Sequence, residues 1–190
     1  MTPEQTRAVE YLRRATQAPV ADVRRKVAAT FQELDELVAG IPAEAVRTRP
    51  RPGRWCVQEV VDHMIVSHRP AGDELAGLLK GRAPEGEPIP AHLQSPDAME
   101  KEWPALVREM SAVHGRFAAL VAGAPEDTPL DARAPLVMVI GGHEWIEELD
   151  WKAYAMAFRA HALGHAGQIR AILAELGEKK EERPEENSRS

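Results

Sequence analysis

The sequence predicts an all-α protein, a bundle of four long helices with long connectors. Three observations carry that expectation. Four stretches repeat apolar residues at helical spacing, β signal is scarce, and two long segments rich in proline and glycine separate the helical runs. Connectors of such length permit a topology other than simple up-and-down. With 190 residues the chain is large enough for one domain with its own core. That domain is expected over residues 1–177, with 1–18 holding an extra N-terminal helix and 178–190 a charged tail without regular structure.

Residues 3–16 form a short amphipathic pattern with Val9 and Leu12 on one side, and Pro19 interrupts it. Ala21–Ala39 is the first long run. Val23, Val27, Phe31, Leu34 and Val38 recur at helical spacing, and Gly40 and Pro42 end it. Residues 41–53 hold three prolines and read as a connector. Trp55–Leu79 is the second long helix, which Pro70 is expected to kink or divide. Gly81–Pro96 is a loop long enough to act as a cover over a site. Asp97–Val121 is the third helix, with Asp97 as its expected cap and Pro104 near its start. Within the next connector, Leu136–Ile140 is apolar throughout and suits either a short strand or a buried lid. The last helix is expected from Glu144 or Asp150 to Leu176, capped by Gly177.

Composition removes several classes of function. The net charge of −6 argues against a nucleic-acid surface, which needs a basic stripe. No run of apolar residues is long enough to span a membrane, and the N-terminus lacks the apolar segment of a signal peptide. The single cysteine, Cys56, allows neither an internal disulfide nor a cysteine-based zinc site and fits a reducing cytoplasm. It reads as a small buried residue with no cue for a lowered pKa.

The chemistry concentrates in His161-x3-His165-x2-Gln168 on the last helix. Residues four apart lie on one helical face, so the two imidazoles can share one ion. Phe158, His161, His165, Gln168, Ile172 and Leu176 form one stripe, which turns both histidines inward. The competing reading is a pair of core histidines satisfied by hydrogen bonds. A third ligand must come from another helix, and the second helix offers His63 and His68. Periodicity favours His68, which falls within the arc of Val57, Val61 and Met64, whereas His63 lies on its flank near Trp55 and Glu59. His92 reads as solvated, His114 as lying on the polar side of the third helix, and His143 as a surface residue. Trp145 and Trp151 flank the start of the last helix. With Leu136–Ile140 they are candidates for one wall of a pocket.

Trp55-x3-Glu59-x3-His63, taken with His161-x3-His165-x2-Gln168, resembles the DinB/YfiT-like superfamily. The resemblance spans roughly residues 21–176 and is strongest in these two stretches. It implies a four-helix bundle that binds one divalent metal, zinc or nickel, through His63, His161 and His165. It therefore selects His63 over His68. Gln168, next along the stripe of the last helix, and Trp55 are candidates to hold a ligand in place or line the pocket, and Glu59 reads as supporting either helix packing or the ligands. Gly164 departs from the many relatives with a histidine directly before the last ligand, so more space, or one polar group fewer, is expected there.

Three neutral imidazoles leave coordination positions open, the pattern of a reactive rather than a structural site. The superfamily includes metal-dependent hydrolases and thiol S-transferases that use bacillithiol, mycothiol or glutathione. The resemblance thus implies transfer of a low-molecular-weight thiol to an electrophile, in detoxification or stress. Hydrolysis by a metal-activated water is the alternative, and a non-catalytic metal- or ligand-binding stress protein is a third reading. No catalytic carboxylate stands out: Glu144, Glu147, Glu148 and Asp150 form a charged run before the last helix. A homodimer is implied by the resemblance alone.

Overall fold

A computed structural model describes residues 2–181. The elements run α1 (Pro3–Gln17), α2 (Val20–Ala39), α3 (Val57–Leu78), α4 (Trp103–Ala122), β1 (Ala134–Ile140), β2 (His143–Leu149) and α5 (Trp151–Glu181). Helices α2 to α5 form a four-helix bundle. α2 packs against α4 and α5, and α3 packs against the same two. Consecutive helices α2 and α3 thus stand across the bundle from each other, a departure from up-and-down order that the long connectors permit. α1 lies along α5.

Local chemistry explains most element boundaries. Thr2 and Gln5 close a capping box at the start of α1. At the start of α3, Glu59 accepts the Cys56 backbone N–H at 2.9 Å and pairs with Arg49 at 2.5 Å. Asp150 caps α5 by accepting the N–H groups of Lys152 and Ala153, while Thr16 donates to its other oxygen at 2.5 Å. The core is continuous through the bundle, with Phe31, Leu34, Met64, Leu75, Phe117, Trp151 and Ile169 among its buried side chains.

The structure corrects four expectations. α3 runs unbroken from Val57 to Leu78, so Pro70 does not divide it. An internal proline costs about 3 kcal/mol, but each large apolar side chain that α3 buries contributes roughly 1.5–3 kcal/mol, and Val57, Val60, Met64, Ile65, Leu75 and Leu78 are all buried. α4 starts at Trp103 rather than Asp97, whose carboxylate instead faces Lys101. Of the two starts expected for the last helix, Asp150 holds, as the cap of α5, and Glu144 does not: residues 143–149 form a second strand. It pairs antiparallel with β1 from Ala134↔Leu149 to Ile140↔His143 across Gly141 and Gly142. Those glycines have φ of 61° and 79°, as a type I′ turn requires at both central positions. Finally, α5 continues through Gly177 to Glu181. Of the expected tail, residues 182–190 lie outside the described residues.

Candidate metal centre

His63 comes from the second turn of α3, and His161 and His165 from successive turns of α5. The packing of α3 against α5 brings them together. His161 Nε2 lies 3.1 Å from His63 Nε2 and 3.0 Å from His165 Nε2. The three form one cluster whose candidate ligand atoms all lie within 4.8 Å of one another.

The opposite ring nitrogens are each engaged. His63 Nδ1 donates to the Leu93 carbonyl at 2.6 Å, and His165 Nδ1 faces Gln168 Oε1 at 2.9 Å. Each N–H at Nδ1 leaves a lone pair at Nε2. His161 Nδ1 lies 2.9 Å from His68 Nε2. Asp62 holds the segment that presents Leu93. Buried Asp62, beside His63, accepts the Ser95 N–H and hydroxyl at 2.9 and 2.8 Å and pairs with Lys101 at 2.6 Å.

This donor set fits a divalent cation. Lone pairs crowded to about 3 Å repel unless a positive charge lies among them. Two nitrogens about 2.0–2.1 Å from one ion stand roughly 3 Å apart at right angles and slightly more at the tetrahedral angle. Burial keeps the rings in the ligating, neutral form. It holds His63 below its usual pKa and His161 well below, the latter helped by His165 and His63. His165 is pushed down to about 4, by burial first and then by His63.

The cluster opens into a cavity of about 520 Å³. α1 contributes Tyr11 and Leu12, β1 contributes Leu136 through Ile140, and Trp55 and Phe158 add aromatic surface. Among the described residues, no Asp, Glu, Lys or Arg side chain lines it.

The other sequence candidates divide. Gln168 and Trp55 reach the site, Gln168 through His165 and Trp55 with its ring 5.2 Å from that of His63. Glu59 caps α3 and pairs with Arg49. Leu136–Ile140 lines the cavity, but Trp151 is fully buried in the core and Trp145 lies on β2 with its indole N–H on Glu147; neither lines the cavity. Gly164 is exposed, and an added Cβ there would meet nothing within 4 Å, so its lack of a side chain opens no space in the site. His92 is exposed at the cavity rim. His114, expected on a polar surface, is buried: it pairs with Asp35 at 2.6 Å and stacks on Phe31. Cys56 is buried, and burial pushes its thiol pKa up. Sequence reasoning missed the Leu93 carbonyl, which carries no side-chain signal, and the contact of His68 with His161. The apolar surroundings of His68 signalled its burial but not its partner.

A model of the DinB superfamily matches residues 26–169. A search of curated proteins gives no match. Among solved structures, the chain is similar to YfiT from Bacillus subtilis, described as a probable metal-dependent hydrolase with an unusual four-helix bundle topology. The TM-score is 0.61 at 18% identity, covering 83% of this chain and 87% of that one. At that identity the likeness speaks to the fold.

Proposed function

The chain belongs to the DinB superfamily, and from that premise we propose that it is a metal-dependent enzyme transferring a low-molecular-weight thiol to a small, largely apolar electrophile. The observation that carries this reading is the convergence of three neutral imidazole nitrogens at an apolar cavity without a carboxylate in its lining. His63, His161 and His165 would hold one divalent cation, zinc or nickel. When bound, the cation supplies Lewis-acid activation that lowers the pKa of a thiol or water. Leu93, His68 and Gln168 orient the three rings through their Nδ1 atoms. The apolar lining favours an uncharged electrophile and limits competing water. Overall, a carbon–sulfur bond replaces the bond to a leaving group, and the thiol proton departs with that group or to solvent. Hydrolysis is the second reading, favoured by the fold shared with YfiT. In that reading the water proton would pass to solvent or to His92 at the cavity rim, since among the described residues no carboxylate lines the cavity.

Two experiments test the proposal. Elemental analysis should find one divalent metal per chain, lost in His63→Ala, His161→Ala and His165→Ala; unchanged metal content in the variants would rule out the ligand set. Monochlorobimane, mixed with bacillithiol, mycothiol or glutathione, should lose chloride and gain a thioether faster with metal-loaded than with chelated protein. Equal rates, together with metal-dependent cleavage of a simple ester, would favour hydrolysis instead.

A further inference from the structure

Two buried histidines lie outside the three-nitrogen cluster yet connect to it. His68 on α3 and His114 on α4 are 0% and 1% exposed. His68 Nε2 is 2.9 Å from His161 Nδ1, and His114 Nδ1 is 2.6 Å from Asp35 Oδ1 on α2. The His68 and His114 ring centroids are 5.2 Å apart. Phe31 confines both, stacked on His114 at 4.3 Å and tilted against His68 at 5.7 Å. Among the described residues, His68 Nδ1 and His114 Nε2 are buried polar atoms without a hydrogen-bond partner. Each carries a desolvation cost that a phenylalanine or leucine in its place would avoid.

Donor and acceptor roles give these two atoms a common purpose. A neutral imidazole has one N–H and one lone pair. The Asp35 carboxylate only accepts, so His114 carries its proton at Nδ1 and a lone pair at Nε2. At the other end, His161 can offer a lone pair to a cation from Nε2 only with its proton at Nδ1. That proton is donated to His68 Nε2, which leaves the His68 proton at Nδ1. The spare donor of His68 and the spare acceptor of His114 therefore sit on neighbouring rings, 5.2 Å apart between centroids.

We propose that Asp35, His114 and His68 are positioning residues that fix the tautomer of His161. The proposal rests on the metal reading of the cluster. The row crosses from α5 through α3 and α4 to α2 and ends at Asp35, whose side chain is 23% exposed in a groove between α2 and α4. Without an acceptor at position 35, His114 has no reason to keep its proton at Nδ1. A proton moved to its Nε2 opposes the N–H of His68, and reversal of His68 would drive His161 to the Nε2–H form that cannot ligate.

Asp35→Ala and Asp35→Leu test this at a partly exposed site remote from the cluster, with Asp35→Asn as the variant that keeps an acceptor. Zinc affinity, measured by chelator competition, should fall roughly 10–100-fold in the first two and stay near wild type in the third. Nitrogen-15 NMR of the zinc-free proteins should show His161 protonated at Nδ1 in wild type and Asp35→Asn, and shifted toward Nε2–H in the other two. Urea melts report any general loss of fold. Wild-type affinity together with an unchanged His161 tautomer in Asp35→Ala and Asp35→Leu would overturn the proposal. If wild-type protein binds no zinc, the metal reading fails, and the tautomer measurement still decides the row: His161 in the Nε2–H form in wild type would reject it.

Discussion

At the scale of single residues, burial decides which groups are neutral and which hold protons. Glu74 receives a hydrogen bond from the Tyr154 hydroxyl, and burial raises its pKa above the ordinary carboxylate value despite that bond. A carboxyl whose folded pKa lies above its unfolded value stabilises the fold only while both states are protonated, and that contribution is lost as pH rises through the folded pKa. Glu74→Gln, which cannot ionise, should therefore gain stability relative to wild type between pH 4 and pH 7 in urea melts. A constant difference would show that Glu74 ionises without cost. The same burial explains what was legible among the histidines. His161 and His165 stood out because α5 has a stripe that turns both inward. Periodicity favours His68 over His63, but α3 is enclosed on nearly all sides and leaves His63 and His68 2% and 0% exposed, so burial does not tell the ligand from its neighbour. Resemblance, not patterning, selected His63. The place of His114 depends on Asp35 from another helix, a pairing that no local pattern carries.

At the scale of elements, the helices were legible where their apolar faces repeat and less so where pairing or packing intervenes. β2 was hidden because its residues, His143-Glu-Trp-Ile-Glu-Glu-Leu149, expose their charges and form a strand only against β1. Gly141-Gly142 was the available signal, since consecutive glycines suit a two-residue hairpin turn. Gly177 did not stop α5 because a glycine weakens a helix by only about 1 kcal/mol and the next turn continues it. Gly164 gives a direct measure of that penalty. It is exposed, helical, and free of any neighbour that an added methyl would meet. Gly164→Ala should raise stability by about 0.5–1 kcal/mol in denaturant melts while leaving metal content unchanged. A loss of metal would instead make this backbone position part of the site.

At the scale of the whole molecule, the metal cluster and the apolar cavity come from different parts of the fold. The bundle helices hold the imidazoles, while α1 and β1 build much of the remaining wall; the hairpin tip at Gly141 approaches Glu4 of α1. Substrate preference should therefore change without loss of the metal. Met138→Glu places a charge in the apolar wall, where desolvation disfavours it. Binding of an uncharged apolar probe such as N-phenyl-1-naphthylamine should weaken by roughly tenfold, about 1.4 kcal/mol, with metal content unchanged. Probe affinity equal to wild type would move the binding surface elsewhere.

The diagonal placement of α2 and α3 also bears on how the chain is made. A polypeptide emerging from the ribosome presents these two helices before α4 and α5, and neither is the other's principal packing partner. Their apolar stripes wait for α4 and then α5, so closure depends on contacts far apart in sequence, which slow folding. Fragments ending before α5 would carry unsheltered greasy faces and would be natural clients for chaperones. The same late-arriving helix brings His161 and His165, so assembly of the histidine cluster coincides with completion of the bundle.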